Sequence, residues 1–156
     1  MTALRPAVVC ADVDATERFG ARLGAALARG MLISLEGPLG AGKTTLVRGI
    51  AAGAGADPLT VKSPTFVLHH VYPGARLRLH HLDLYRLGPG ASLDTLDLDA
   101  QLDDGAVVME WGDLGALDRW APIRVAASIE DPHTRRFTLL SEGVPGGVRD
   151  AWAAQP

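Results

Sequence analysis

A chain of 156 residues with 47% hydrophobic content is long enough for one domain with a full core. A net charge of -3 and a pI of about 5.9 exclude a broadly basic nucleic-acid surface, leaving any grip on RNA to a partner. The lone Cys10 excludes an intramolecular disulfide and a cysteine-built zinc site, no apolar run is long enough to span a membrane, and residues 6–11 are too short for a signal peptide, so a cytoplasmic protein is expected.

Residues 6–11 read as a first strand centred on Val8 and Val9. Asp12 and Asp14 offer N-cap oxygens to a helix in which Phe19, Leu23 and Leu27 recur at four-residue spacing, with Gly30 as its stop. Thr16, near the start of that helix, is a candidate nucleotide contact; a threonine facing solvent is the alternative. Residues 32–36 are a short apolar run suited to a buried strand, and Gly-Pro-Leu-Gly-Ala-Gly-Lys-Thr-Thr follows directly.

Gly37, Gly42, Lys43 and Thr44 satisfy the spacing G-x-x-x-x-G-K-[ST], and Leu46, Val47, Ile50 and Ala51 continue at helical spacing. Strand, loop and helix therefore occur in the order a phosphate-binding loop requires. Glycine allows the positive φ angles that turn consecutive N–H groups onto phosphate oxygens, and the helix start adds partial positive charge. The candidate nucleotide contacts are Gly37, Leu39, Gly40, Ala41, Gly42, Lys43, Thr44 and Thr45. Lys43 supplies a point charge to the β- and γ-phosphates, and the Thr44 hydroxyl is a candidate magnesium ligand. Lysine is otherwise rare: Lys62, just before Ser63-Pro64-Thr65, is the only other one.

Asp57-Pro58 reads as a turn, and Pro64 holds Ser63 extended. Thr65 is a candidate for the γ-phosphate or its magnesium, as switch threonines are; a plain loop-to-strand junction is the alternative. Residues 66–72 and 76–86 form an expected antiparallel hairpin around Pro73-Gly74-Ala75. His69, His70, His80 and His81 invite a metal-cluster reading, but adjacent histidines on a strand point to opposite faces, which argues against it. Asp83, ending an apolar strand, is a candidate to hold magnesium's water shell or to orient the attacking water; a partner for Arg86 or a turn residue is the alternative.

Gly88-Pro89-Gly90 breaks the strand. Ser92 is placed to cap a short helix with Leu93, Leu96, Leu98 and Leu102 on its apolar side, and the aspartates of this stretch read as a solvated face, since calcium-loop spacing is missing. Residues 106–109 are wholly apolar, as in a central parallel strand, and end in Glu110-Trp111-Gly112. Ligands gather beyond the carboxyl ends of such strands, making Glu110 a second magnesium-ligand candidate. Trp111 is either core packing or an aromatic surface beside the nucleotide. Residues 117–122 are a short helix or loop, and strands at 123–129 and 137–140 follow. Arg135 and Arg136 begin the last strand; one is a candidate nucleotide contact, with solvent exposure the alternative for both. One domain is expected over residues 1–142, with 143–156 a loose tail.

The phosphate loop, Ser63-Pro64-Thr65-Phe66, the run from His81 through Asp83 and Tyr85 to Arg86, and Glu110-Trp111-Gly112, in that order across about residues 14–140, together resemble the TsaE (YjeE) family of bacterial P-loop ATPases. The resemblance implies an α/β fold: a P-loop NTPase-like, mostly parallel sheet flanked by helices. It implies binding of ATP and Mg2+ and slow hydrolysis. It further implies work with TsaB and TsaD in threonylcarbamoyladenosine modification of tRNA, at the adenosine next to the anticodon. The ATPase step would reset that complex, carbamoyl transfer belonging to TsaD; tRNA is met indirectly, DNA and membrane not at all. On the family pattern Thr44 and Glu110 hold magnesium, Lys43 holds the phosphates, Asp83 supports hydrolysis and Thr65 sits in a switch-like segment. Thr16 and Arg136 lie by the nucleotide, Arg135 competing with Arg136 for that match. Pro38 stands where the family often has an acidic residue, a departure that bears on affinity more than on backbone contact to phosphate.

Two other enzymatic readings compete. A small-molecule or nucleotide kinase needs a second pocket and an arginine-bearing lid, and no extra segment is long enough for a lid, although Arg135 and Arg136 keep the idea open. A GTPase is disfavoured: the chain has no asparagine, hence no Asn-Lys-x-Asp motif, and no Asp-x-x-Gly. A nucleotide-sensing assembly protein with incidental hydrolysis is the non-enzymatic reading.

Overall fold

The computed structural model describes residues 4–62, 68–88, 90 and 92–154. Thr65 and the rest of Ser63-Pro64-Thr65-Phe66 lie outside the described residues. Strand β1 (Ala7–Cys10) leads into helix α1 (Val13–Ala26), where Asp12 caps the first turn by accepting the Ala15 N–H at 2.7 Å. The helix stops before the expected Gly30. Leu27 is already extended and fully buried, its N–H donates to the Gly24 carbonyl, and the Arg76 guanidinium donates to both the Gly24 and the Leu27 carbonyls. Strand β2 (Leu32–Glu36), the loop and α2 (Lys43–Gly53) follow.

The expected hairpin is present as β3 (His69–Tyr72) and β4 (Leu79–Asp83). Then come α3 (Leu98–Asp104), β5 (Ala106–Glu110), β6 (Ile123–Ile129), β7 (Arg135–Leu139) and α4 (Gly146–Ala153). The strands form one sheet in the order β1-β7-β6-β2-β5-β4-β3. Its centre, β6-β2-β5-β4, is parallel, and both flanks are antiparallel. Helices α1, α2 and α4 cover one face through Phe19, Leu23, Leu46, Ile50 and Trp152. On the other face Leu98 of α3 packs with Leu82, Leu84, Met109 and Leu117. The fold is thus an α/β P-loop fold, with the phosphate loop leaving the middle of the parallel block.

Helices α1 and α2 touch backbone to backbone along a seam of glycines. A Cβ on Gly24 would lie 2.2 Å from the Ile50 carbonyl oxygen, and one on Gly49 would lie 2.3 Å from that of Glu17. Gly20 and Gly53 meet the same obstacle at 2.6 Å and 2.3 Å. The contacts advance together along both helices, so the two run parallel and their N-termini meet beside the phosphate loop.

The segment read as a loose tail is folded over residues 146–153. Val148, Ala151 and Trp152 of α4 are buried, the Trp152 ring meets Phe19 edge-on at 5.1 Å, and its indole N–H donates to the Phe137 carbonyl at 3.2 Å. Spacing of three and four residues places these side chains on one face, which turns α4 onto the open side of α1.

The histidines divide between the two faces of the sheet, as strand alternation requires. His80 bonds His69 at 2.8 Å and Asp104 at 2.7 Å on the α3 side, whereas His81 bonds Tyr72 and Glu110 on the α2 side. Burial, followed by the neighbouring His80, pushes the His69 pKa below 6.5. The unfolded chain therefore takes up this proton more readily than the fold does. The contribution to stability is complete above 6.5 and is lost as pH falls through the lower folded value. Thermal melts from about pH 7 to about pH 5 should show a smaller loss for His69→Gln than for the wild type; equal slopes would contradict this.

Candidate functional site

The loop leaves the carboxyl end of β2 and passes the chain to α2. Gly37 has φ +143°, and a Cβ there would lie 2.2 Å from the Ala127 carbonyl oxygen, so only glycine fits. The first helical hydrogen bond runs from the Leu46 N–H to the Gly42 carbonyl. The amides of Lys43, Thr44 and Thr45 thus form a helix N-terminus without carbonyl partners inside the helix, a site suited to anions. Leu39 is exposed at the loop's tip, whereas Ala41 is buried and its N–H donates back to Pro38 at 3.2 Å.

Lys43 lies over this loop. Its ammonium donates to the carbonyls of Gly37 at 2.7 Å and Pro38 at 2.8 Å, and sits 4.1 Å from the centre of the Trp111 ring. Burial lowers its pKa below 10.5, opposed by the carboxylates of Glu110, Asp83 and Asp113. Trp111 holds a left-handed backbone, φ 60°, with its ring also against Tyr85 at 5.0 Å. Trp111 packs against the core on one side, as the first sequence reading expects, and borders the cleft at the loop on the other.

Thr44 donates its hydroxyl to Glu110, 2.9 Å from Oε1 and 3.1 Å from Oε2. Glu110 and Asp83 are register partners at the ends of β5 and β4, each 3% exposed. Oδ1 of Asp83 accepts the Tyr85 N–H at 2.8 Å. A hydroxyl and a carboxylate this close, beside a helix start suited to anions, are hard oxygen donors of the kind that magnesium prefers.

Two clefts flank the loop. One, of about 280 Å³, lies between Lys43, Thr44, Asp83, Glu110 and Trp111. The other, of about 370 Å³, lies where the two helix N-termini meet the start of β7, between Asp12, Thr16, Thr45, His133 and Arg135. Gly40, Gly42 and Thr45 border both. Thr16 is nearly fully buried there, its hydroxyl 3.3 Å from the Asp12 carbonyl. Of the two arginines, Arg135 comes to the loop, donating to the Gly40 carbonyl at 2.9 Å. Arg136 takes the opposite face of β7 and pairs with Glu130 at 2.5 Å, so the structure does not bring it to the other candidates.

Sequence reasoning left Asp12, Tyr72, His81 and His133 out of the site. Strand alternation carries a signal for His81: it lies two residues before Asp83 and so shares its face.

A family model described as "Threonylcarbamoyl adenosine biosynthesis protein TsaE" matches residues 10–137. The tRNA threonylcarbamoyladenosine biosynthesis protein TsaE of Mycobacterium leprae is 44% identical over 115 residues, covering 68% of this chain and 71% of that protein. Its namesake in Streptomyces coelicolor is 47% identical over 97 residues, covering 60% and 65%. A crystal structure described as "Bacillus subtilus YdiB" superposes with a TM-score of 0.65 at 24% identity, covering 90% of this chain and 89% of the other, which speaks to the fold.

Proposed function

The chain belongs to the TsaE family, and from that premise we propose that it is a magnesium-dependent ATPase serving threonylcarbamoyladenosine modification of tRNA, acting in the cytoplasm on a TsaB-TsaD complex. The observation that carries the ATPase reading is the meeting of Thr44 and Glu110 at 2.9 Å directly beside Lys43.

The amides at the start of α2 hold the β-phosphate of ATP, and Lys43 turns from the carbonyls of Gly37 and Pro38 to the β- and γ-oxygens. Thr44 and Glu110 would hold the magnesium ion, which would supply charge neutralisation to the transferring phosphoryl group. Asp83, beside Glu110 in register, orients the attacking water. The cleft at Thr16, Thr45 and Arg135 takes the nucleoside end, since it borders the same loop glycines. Thr65, outside the described residues, takes the switch-threonine role at the γ-phosphate that the family pattern assigns it. Binding of ATP favours association with the partners, and hydrolysis favours release.

The test is ATP hydrolysis by the purified chain, alone and with TsaB, TsaD and tRNA. Slow turnover alone and stimulation by the partners are expected. Phosphate transfer to a small acceptor, without stimulation, would replace this reading with the kinase. Asp83→Asn should retain magnesium-ATP binding and lose about 100-fold or more in stimulated turnover, the scale of positioned proton and water chemistry. Unchanged turnover would remove Asp83 from the mechanism.

A further inference from the structure

Glu110 is fixed from two sides. Thr44 reaches it from α2, and His81 Nε2 lies 2.6 Å from its Oε2. His81 is wholly buried, and its other ring nitrogen lies 2.9 Å from the Tyr72 hydroxyl, which in turn lies 3.4 Å from the Lys62 carbonyl. The register explains why these groups meet. His70 pairs with His81 and Tyr72 with Leu79 across β3 and β4, while His81 pairs with Val108 and Asp83 with Glu110 across β4 and β5. Tyr72, His81, Asp83 and Glu110 therefore share the α2-facing side of the sheet, and each bond of the chain steps diagonally between neighbouring strands.

The protons have one consistent placement when the imidazole is neutral. An ionised Glu110 only accepts, so Nε2 carries the ring proton and donates; Nδ1 is then an acceptor, and the Tyr72 hydroxyl gives its single proton to Nδ1 at 2.9 Å in preference to the Lys62 carbonyl at 3.4 Å. A donor on each side stops the carboxylate from rotating. Carboxylates that ligate metals are commonly held this way, and losing such support costs about 10- to 100-fold in metal affinity.

We propose that His81, held by Tyr72, is a positioning residue that aims the Glu110 carboxylate at the magnesium ion of the bound nucleotide. This rests on Glu110 being a magnesium ligand. His81 does not line the cleft beside Lys43; it acts through Glu110 and sets how strongly magnesium and nucleotide reinforce each other's binding. That quantity is the ratio of nucleotide affinities with and without magnesium.

The experiment measures the affinity of a fluorescent ADP analogue with magnesium and with EDTA, in wild type, Glu110→Gln, His81→Leu, His81→Gln and Tyr72→Phe. In the wild type magnesium should tighten binding, and Glu110→Gln should remove most of that gain; if either fails, the magnesium reading of Glu110 falls before His81 is judged. With that reading in place, His81→Leu should cut the ratio by about 10- to 100-fold while leaving EDTA affinity within about twofold. His81→Gln, whose amide donates from nearly the same point as Nε2, should restore the ratio to within about threefold of wild type. An unchanged ratio in His81→Leu overturns the proposal. So does an equal loss with and without magnesium, or no recovery in His81→Gln. If His81→Leu does not fold, Tyr72→Phe decides: a several-fold drop in the ratio supports the relay, and a wild-type ratio overturns it.

Discussion

Lys43→Ala should weaken ATP binding by about 100-fold while leaving thermal stability nearly unchanged. A charge-assisted hydrogen bond contributes a net of about 1.5–3 kcal/mol, and the loss of two phosphate contacts, partly replaced by water, is worth roughly 3 kcal/mol, or about two decades of affinity. The ammonium is buried, and its pKa is lowered mainly for that reason. A lysine whose folded pKa is lowered is costly to keep charged in the fold. That cost is complete at pH values below the lowered pKa and fades as pH rises through it toward 10.5. Alanine removes the cost together with the bonds to Gly37 and Pro38 and the contact with Trp111, so the two effects oppose each other in the melt. Titration calorimetry with ATP, run beside thermal unfolding, separates them. An affinity loss below about fivefold would mean that Lys43 does not reach the phosphates.

Gly24→Ala and Gly49→Ala should each destabilise the protein severely, although alanine is the better helix former. The gain in helix propensity is about 1 kcal/mol. Against it, the new methyl carbon must sit 2.2 or 2.3 Å from a carbonyl oxygen of the facing helix, and backbone cannot rotate aside as a side chain can. Overpacking of this kind costs about 1–3 kcal/mol and occasionally more, and here both helices must separate along the whole seam. A net loss of about 2 kcal/mol or more is expected, or roughly 4–8 °C in Tm for a domain of this size. Gly147→Ala is the matched control. It lies in α4, and its nearest neighbour would be the Ala26 methyl at 3.9 Å, an ordinary contact, so its Tm should hold or rise slightly. Equal effects at the three positions would show that the helices are not in backbone contact.

The phosphate loop was legible because its meaning is local: strand, glycines, lysine and helix are consecutive in the chain. The position of Glu110 was legible because a wholly apolar run ending in a carboxylate suits a buried parallel strand, whose carboxyl end here lies beside the loop. The choice between Arg135 and Arg136 was not, because it depends on the register of β7 against β1 and β6, which no single segment carries. The glycine seam was hidden for a related reason. Gly20 and Gly24, like Gly49 and Gly53, read as weak points of separate helices until the helices are known to face each other. The fold of residues 146–153 was visible in principle, since Val148, Ala151 and Trp152 keep helical spacing, but the glycines around them suggested a loose end.

The pairing of β1 with β7 also has a consequence in time. The register from Ala7 against Thr138 to Cys10 against Arg135 joins the beginning of the sheet to its last strand. At synthesis rates of about 5–20 residues per second, roughly ten seconds separate the two strands as they leave the ribosome. The seam of α1 with α2 draws on residues made far earlier and can assemble first; β1 must wait, its edge unpaired. Arg135, which walls the wider cleft at Gly40, arrives with that last strand. A nascent chain halted before β7 therefore displays the entire phosphate-loop motif and still lacks one wall of the cleft beside it, so that cleft is complete only once synthesis has passed β7.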